Sequence, residues 1–242
     1  SRMRVLLTRA AEDCARSARF LRRLGIEALC APLIETRPAD PPPALHVCDG
    51  VIVTSAKAAA FLAGLPQVCR DKPVFAVGPR TARATARHGF PARHVGAGDA
   101  RSLLRDIPRL IAPPAHLLHV TGRDHKPEPA RGLRAAGFRV TLWEAYEARA
   151  CDALDASAIA ALQAGSVHAA LHYSPRSAKL ALARIAEAGL KVRFDALRQV
   201  AISPDVAAIL RDAGCGNVAV AAAPNEKAMF RVLLERRNGP DA

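Results

Sequence analysis

The chain alternates short apolar runs with longer stretches in which apolar positions recur at helical spacing. Arg4–Thr8 (RVLLT) reads as a buried parallel strand, because its apolar positions are continuous rather than alternating. Ala15, Ala18, Leu21 and Leu24 then fall on one side of a helix over 13–24, which Gly25 can close. Ile26–Ile34 predicts a second strand and completes a β-α-β unit. After a proline-rich stretch, strands are expected over Gly50–Thr54 and Val74–Val77. Helices are expected over Lys57–Leu65, Thr81–His88 (closed by Gly89) and Ala100–Leu110. Leu117–Thr121 opens another strand–helix–Gly–strand unit that runs to WEAYEA. Ala156–Ala164 and Glu226–Arg236 read as helices, Val218–Ala222 as a strand, and Asn238–Ala242 as a loose tail.

One block occurs twice. VIVTSAKAAAFL followed by VFAVGPRTARATARHG (Val51–Gly89) parallels ALHYSPRSAKLAL followed by VAISPDVAAILRDAG (Ala170–Gly214). Ser55 matches Ser174, Pro79 matches Pro204, and Gly89 matches Gly214. The N-terminal β-α-β is echoed by LLHVTGRDHKPEPARGLRAAGFRVTLWEAYEA. Strands alternating with helices imply parallel sheets covered on both faces, and two copies imply two α/β domains. RPADPPPA (37–44) and the polar segment near 146–155 are the expected linkers; the four prolines of the first forbid helix.

Ligands of such sheets bind beyond the carboxyl ends of the strands. Those ends are Thr8-Arg9, Thr54-Ser55, Gly78-Pro79, Thr121-Gly122-Arg123, Tyr173-Ser174 and Ser203-Pro204. Backbone N–H groups at the helix starts make such a rim suited to anions. Each candidate also has a bland counterpart. Ser55 and Ser174 can serve as N-caps. Lys57 and Arg176, matched one turn into their helices, oppose the macrodipole, a placement that points to a binding role or else to solvated surface charge. GPRTA (Gly78–Ala82) offers a close backbone approach and a Thr81 hydroxyl, or simply a tight turn. Its second copy reads SPDVA and has lost both Gly and Thr. Tyr146 can donate a proton or a hydrogen bond, or be an aromatic with a wet hydroxyl.

Composition narrows the chemistry. A formal net charge of +13 favours a polyanionic partner. Aromatics make up only 4% of residues, too few for the stacking platforms of single-strand binders, so nucleic acid is not expected. No GxGxxG follows a strand (Gly96-Ala97-Gly98 fails at Arg101). No Walker A and no GxSxG occur. The six cysteines are scattered without CxxC and read as free buried thiols; no metal and no cofactor are expected. No apolar run approaches the roughly 18 residues of a membrane helix. Glu12 and Asp13 arrive too early for a signal peptide, so a cytoplasmic protein is expected.

The series RVLLTR, DGVIVTSAKAAAFL, VFAVGPRTARATARHG, WEAYEA, HYSPRSAKLAL, AISPDVAAILRDAG and AAAPNEKAMFRVL resembles the uroporphyrinogen-III synthase family over nearly the whole chain. The resemblance implies a cofactor-free monomer of two similar α/β domains, joined by a two-stranded linker, with an interdomain cleft. It assigns residues 1–36 with 149–242 to one discontinuous domain and 39–145 to the other. It implies cyclisation of hydroxymethylbilane, a polycarboxylate, with inversion of the terminal pyrrole ring and loss of water. Tyr146 matches the family tyrosine proposed to assist that loss. Arg9, Ser55, Lys57, Gly78, Thr81, Arg123, Ser174, Arg176 and Ser203 match its substrate-binding positions. The Ser203-Pro204-Asp205-Val206 turn departs from the Gly-x-x-Thr pattern. That departure keeps a non-catalytic, tetrapyrrole- or polyacid-binding paralogue as the alternative.

Overall fold

A computed structural model of the chain describes residues 2–235. The chain divides into two compact units. One comprises the described residues of Ser1–Glu35 and Arg149–Ala242; the other is Thr36–Ala148. In chain order the elements are β1 (Arg4–Leu7), α1 (Ala11–Arg23), β2 (Glu27–Cys30), β3 (Ile34–Pro38) and β4 (Gly50–Val53). A 3-10 helix at Ala56–Gly64 leads to β5 (Val74–Ala76), α2 (Pro79–Arg87), β6 (His94–Val95), α3 (Ala100–Leu110), β7 (His116–Gly122), α4 (Ala130–Ala135) and β8 (Arg139–Ala150). The chain then forms α5 (Ala156–Gln163), β9 (Ala169–His172), α6 (Pro175–Glu187), α7 (Lys191–Asp195), β10 (Arg198–Ala201), α8 (Pro204–Asp212), β11 (Val218–Val220) and α9 (Glu226–Leu234).

The first unit carries a parallel sheet in the order β11-β10-β9-β1-β2. The inner strands β1, β9 and β10 are largely apolar because both faces are covered. Leu6, Ala170 and Ala201 pack against α5, α6, α7 and α8. Val5, Leu7, Leu171 and Val200 point the other way, against Cys14 and Leu21 of α1 and Met229, Phe230 and Leu233 of α9.

The second unit has the sheet order β3-β8-β7-β4-β5-β6, with β4 to β8 parallel. Val51, Val53, Leu118 and Val120 pack against Ala58 and Leu62 of the 3-10 helix. Ile52, Phe75, Leu117 and Val140 face Leu103 and Ile107 of α3 and Leu133 of α4. Without β3, the two sheets have one topology. Reading β2-β1-β9-β10-β11 against β8-β7-β4-β5-β6 matches strand to strand, with the chain entering the first unit at a different point of the cycle. The expected repeats of Val51–Gly89 with Ala170–Gly214, and of the N-terminal β-α-β with 117–148, follow this correspondence. The matched helix ends also agree: Gly89 and Gly214 both have positive φ, 86° and 100°.

Several elements differ from the sequence expectation. The strand expected over Ile26–Ile34 is two strands, because Ala31-Pro32-Leu33 interrupts it and β3 joins the other sheet. Both expected linkers are partly strand. β3 runs through Pro38 and β8 through Ala150, and the Ala39 and Asp40 N–H groups donate to Ala145 and Glu144 carbonyls. The helix expected over Lys57–Leu65 is 3-10, a tighter coil favoured in short pieces. β6 and α7 carry no sequence signal, since both are too short to show a period. α9 ends at Leu234; Arg236 and the tail 238–242 lie outside the described residues. Among the described residues, no helix is long and apolar enough to cross a membrane.

Candidate active site

In the second unit, four neighbouring strands carry six of the expected residues, Tyr146 within its strand and the others past the carboxyl ends of theirs. β8 carries Tyr146, β7 ends at Gly122 before Arg123, β4 leads to Ser55 and Lys57, and β5 leads to Gly78 and Thr81. The position of Tyr146 depends on a bulge. Thr121 pairs with Glu144 but Gly122 pairs with Tyr146, leaving Ala145 as one extra residue on β8. Such an insertion breaks the alternation of faces. Tyr146 therefore joins Trp143 and Ala145 in one apolar cluster. Its ring stacks on Phe61, centroids 5.2 Å apart.

The phenol of Tyr146 is 8% exposed and interacts with the Ser55 side chain and the Gly122 backbone. Burial raises its pKa above the ordinary 10, outweighing those two hydrogen bonds, which lower it. At neutral pH the group therefore holds its proton, as a proton donor must. Ser55 also caps the 3-10 helix, accepting from the Lys57 N–H at 3.3 Å. Cap and ligand contact are thus compatible roles for one hydroxyl.

The remaining positions in this unit divide. Gly78 has an extended backbone, and a Cβ there would stand 2.9 Å from the Cα of Gly98. A neighbouring turn of the protein already explains this glycine. Thr81 is buried in the first turn of α2. Arg123 is fully engaged: its Nη1 lies 2.7 Å from Glu147, Nη2 2.8 Å from Asp40, and Nε 3.7 Å from Glu144.

In the first unit, Arg9, Ser174, Arg176 and Ser203 lie at or just past the ends of the adjacent strands β1, β9 and β10. Ser174 caps α6, accepting from the Ser177 N–H at 3.1 Å and donating to the Ser177 hydroxyl at 2.9 Å. Ser203 caps α8, accepting from the Val206 N–H at 3.4 Å. Arg176 sits exposed in the first turn of α6 and Asp205 exposed in that of α8.

Arg9, the counterpart of Arg123, lies 3.8 Å over the ring of Tyr173. Its Nη1 donates to Ser17 Oγ at 3.0 Å and to Glu226 Oε2 at 3.3 Å. Glu226 Oε2 also accepts from the Ser17 hydroxyl at 2.5 Å and the Tyr173 hydroxyl at 2.6 Å. Burial first, then the Glu226 carboxylate, pushes the Tyr173 phenol well above the usual range. Sequence reasoning did not single out Phe61, Ser17 or Glu226. The acidic residue at the start of α9 was the one available signal, and it reads equally as a partner for the helix macrodipole.

Two histidines are buried within strands that lead to these rims. His119 bonds Thr54 at 2.9 Å and His172 bonds Gln199 at 2.7 Å, and burial lowers each pKa to about 4. Both stay neutral near pH 7. Among the described residues, no group of three or more His, Cys, Asp or Glu side chains could hold a metal ion.

The profile of one family, described as HEM4, uroporphyrinogen-III synthase HemD, matches residues 15–231. Among solved structures, uroporphyrinogen-III synthetase from Helicobacter pylori 26695 matches with a TM-score of 0.57 at 16% identity. That match covers 96% of this chain and 98% of the other, and it bears out the α/β fold with helix-flanked parallel sheets. A mutant uroporphyrinogen III synthase from the extremely thermophilic bacterium Thermus thermophilus matches at 19% identity and a TM-score of 0.45, over 96% of this chain and 97% of that one. A search of curated proteins found no match. With the family profile spanning most of its length, the chain belongs to the uroporphyrinogen-III synthase HemD family.

Proposed function

We propose that this chain carries out the activity of its family, the cyclisation of hydroxymethylbilane to uroporphyrinogen III, by orienting its substrate and supplying one proton from Tyr146. The observation that carries the residue assignment is the buried, protonated phenol of Tyr146, set beside Ser55 and Gly122 by the β8 bulge. The phenol donates its proton to the terminal hydroxyl as the carbon–oxygen bond breaks, releasing water and leaving an azafulvene cation. The last pyrrole attacks through its substituted carbon, passes through a spiro intermediate, and closes inverted. In that inversion the spiro carbon's bond to the adjacent bridging methylene breaks, the ring's unsubstituted α-carbon bonds to that methylene instead, and this carbon loses its proton, which restores the phenol. No nucleophile is required, and the main task is to hold a flexible polyacid in one folded shape.

In this reading, Ser1–Thr36 with Arg149–Ala242 is one domain and Ala39–Ala145 the other. The strands near 37–44 and 146–155 form the linker, and the substrate's carboxylates bind in a cleft between the domains. Ser55, Lys57, Gly78, Thr81 and Arg123 contribute from one rim; Arg9, Ser174, Arg176 and Ser203 contribute from the other. The enzyme works as a cytoplasmic monomer without cofactor.

The test is a coupled assay. Freshly generated hydroxymethylbilane is supplied, the product is oxidised, and the uroporphyrin isomers are separated. Dominant type-III isomer is expected. Only type-I isomer at the spontaneous rate would overturn the reading in favour of a binding paralogue.

A further inference from the structure

Arg9 and Arg123 occupy the same place in the two sheets but are held differently. Arg123 has a carboxylate at each of its three nitrogens. Arg9 is held at only one nitrogen and one face. Nη1 is fixed by Ser17 and Glu226, and the guanidinium plane rests on Tyr173. Its backbone carbonyl accepts the Cys14 thiol at 3.4 Å. Among the described residues, Nε and Nη2 make no hydrogen bond, and the side chain is 21% exposed. A guanidinium so held keeps one two-nitrogen edge for a carboxylate, the geometry of a bidentate pair.

The Glu226 carboxylate is itself held. Asn225 caps α9 through the Ala228 N–H at 2.9 Å, which fixes the start of that helix. The Ser17 and Tyr173 hydroxyls both donate to the oxygen that meets Arg9 and disperse its charge. The anion that holds Arg9 is therefore partly satisfied by other donors and competes less with an incoming carboxylate.

We propose that Glu226, with Tyr173 and Ser17, is a positioning residue that presents the Nε–Nη2 edge of Arg9 to a carboxylate of the tetrapyrrole. The inference rests on the proposed role of Arg9 in substrate binding. Preorganising one cation removes an ordering cost that would otherwise weaken binding. Glu226 could instead act only through the N-terminal charge of α9. It would then affect stability and leave ligand affinity alone.

A double-mutant cycle on the full chain separates these roles, read by fluorescence titration with uroporphyrin III. Glu226→Ala is expected to raise Kd about five- to tenfold, the scale of one charge-assisted contact. Glu226→Gln, which keeps an acceptor oxygen for Ser17 and Tyr173, is expected to raise it about two- to threefold by the same scale. In the Arg9→Ala background, neither change is expected to shift Kd further. An unchanged Kd in Glu226→Ala, or an equal rise with Arg9 already absent, overturns the proposal. If Glu226→Ala does not fold, the Glu226→Gln pair completes the same cycle. Wild-type protein that yields only type-I isomer would sink the synthase reading, while the affinity cycle would still decide the role of Glu226.

Discussion

Gly122 packs against the ring of Tyr146, where an added Cβ would stand 2.8 Å from Cε2. The ring cannot retreat freely, because it is stacked on Phe61 and packed in the buried cluster with Trp143. Gly122→Ala is therefore expected to shift the phenol away from Ser55 and lower turnover about tenfold, the low end of a general acid's contribution. Initial rates of type-III formation check this; an unchanged rate would show that the phenol's position is not limiting.

Tyr146→Phe keeps the stacked ring and removes only the hydroxyl. Turnover is expected to fall roughly 10–100-fold, the range of one acid catalyst, with little loss of stability. The raised pKa fixes the sign of the pH dependence. Burial raises this phenol above its ordinary value, so the protonated form prevails and the group causes no loss of activity between pH 7 and 9. A rate that falls through pH 8 to 9 in wild type, but not in Tyr146→Phe, would contradict it.

His119 and His172 tie stability to acid. Their folded pKa values of about 4 lie below the ordinary 6.5, so the unfolded chain binds more protons between those limits. The stability they hold in the neutral form is complete above pH 6.5 and is lost as pH falls towards 4. Each buried imidazole contributes a slope of up to about 1.4 kcal/mol per pH unit in that window. Chemical denaturation at pH 7, 6 and 5 should show a falling midpoint; a flat profile would count against neutral burial of both rings.

The duplicated helix ends make a matched pair. Gly89 and Gly214 have φ of 86° and 100°, in the region that disfavours side chains. At Gly89 an added Cβ would meet nothing within 4 Å, so Gly89→Ala tests backbone strain alone and should cost about 1–2 kcal/mol. Gly214→Ala should cost at least as much, because Lys191 Nζ would lie 3.3 Å from the new atom. Urea unfolding of both variants measures the difference.

Apolar runs with no alternation marked strands covered on both faces, and VIVTS against LHYSP, each followed by a helix and a closing glycine, exposed the duplication. The motif series then pointed to the family, which the profile match over residues 15–231 bears out. The place of Ser55 at a strand end was also legible from the turn it opens, and Tyr146 stood out through the motif around it, although it lies inside β8 rather than at its end. What held Arg9 was not, because Ser17 and Glu226 lie 209 positions apart and hydrogen-bond only after α1 and α9 pack against one face of the sheet.

The amino-acid order by itself determined the α/β class, the repeat and the family, since each is written in local periodicity and in the succession of turns. Only the tertiary structure decided which sheet receives the chain after Cys30, and that one extra residue, Ala145, turns Tyr146 onto the face of Trp143. It also decided that two matched arginines differ, one closed in by three carboxylates and one left with a donor edge. The reason is physical. Strand pairing, bulges and ion pairs join residues far apart in sequence, and a period of two or of 3.6 carries no record of the partner across the sheet.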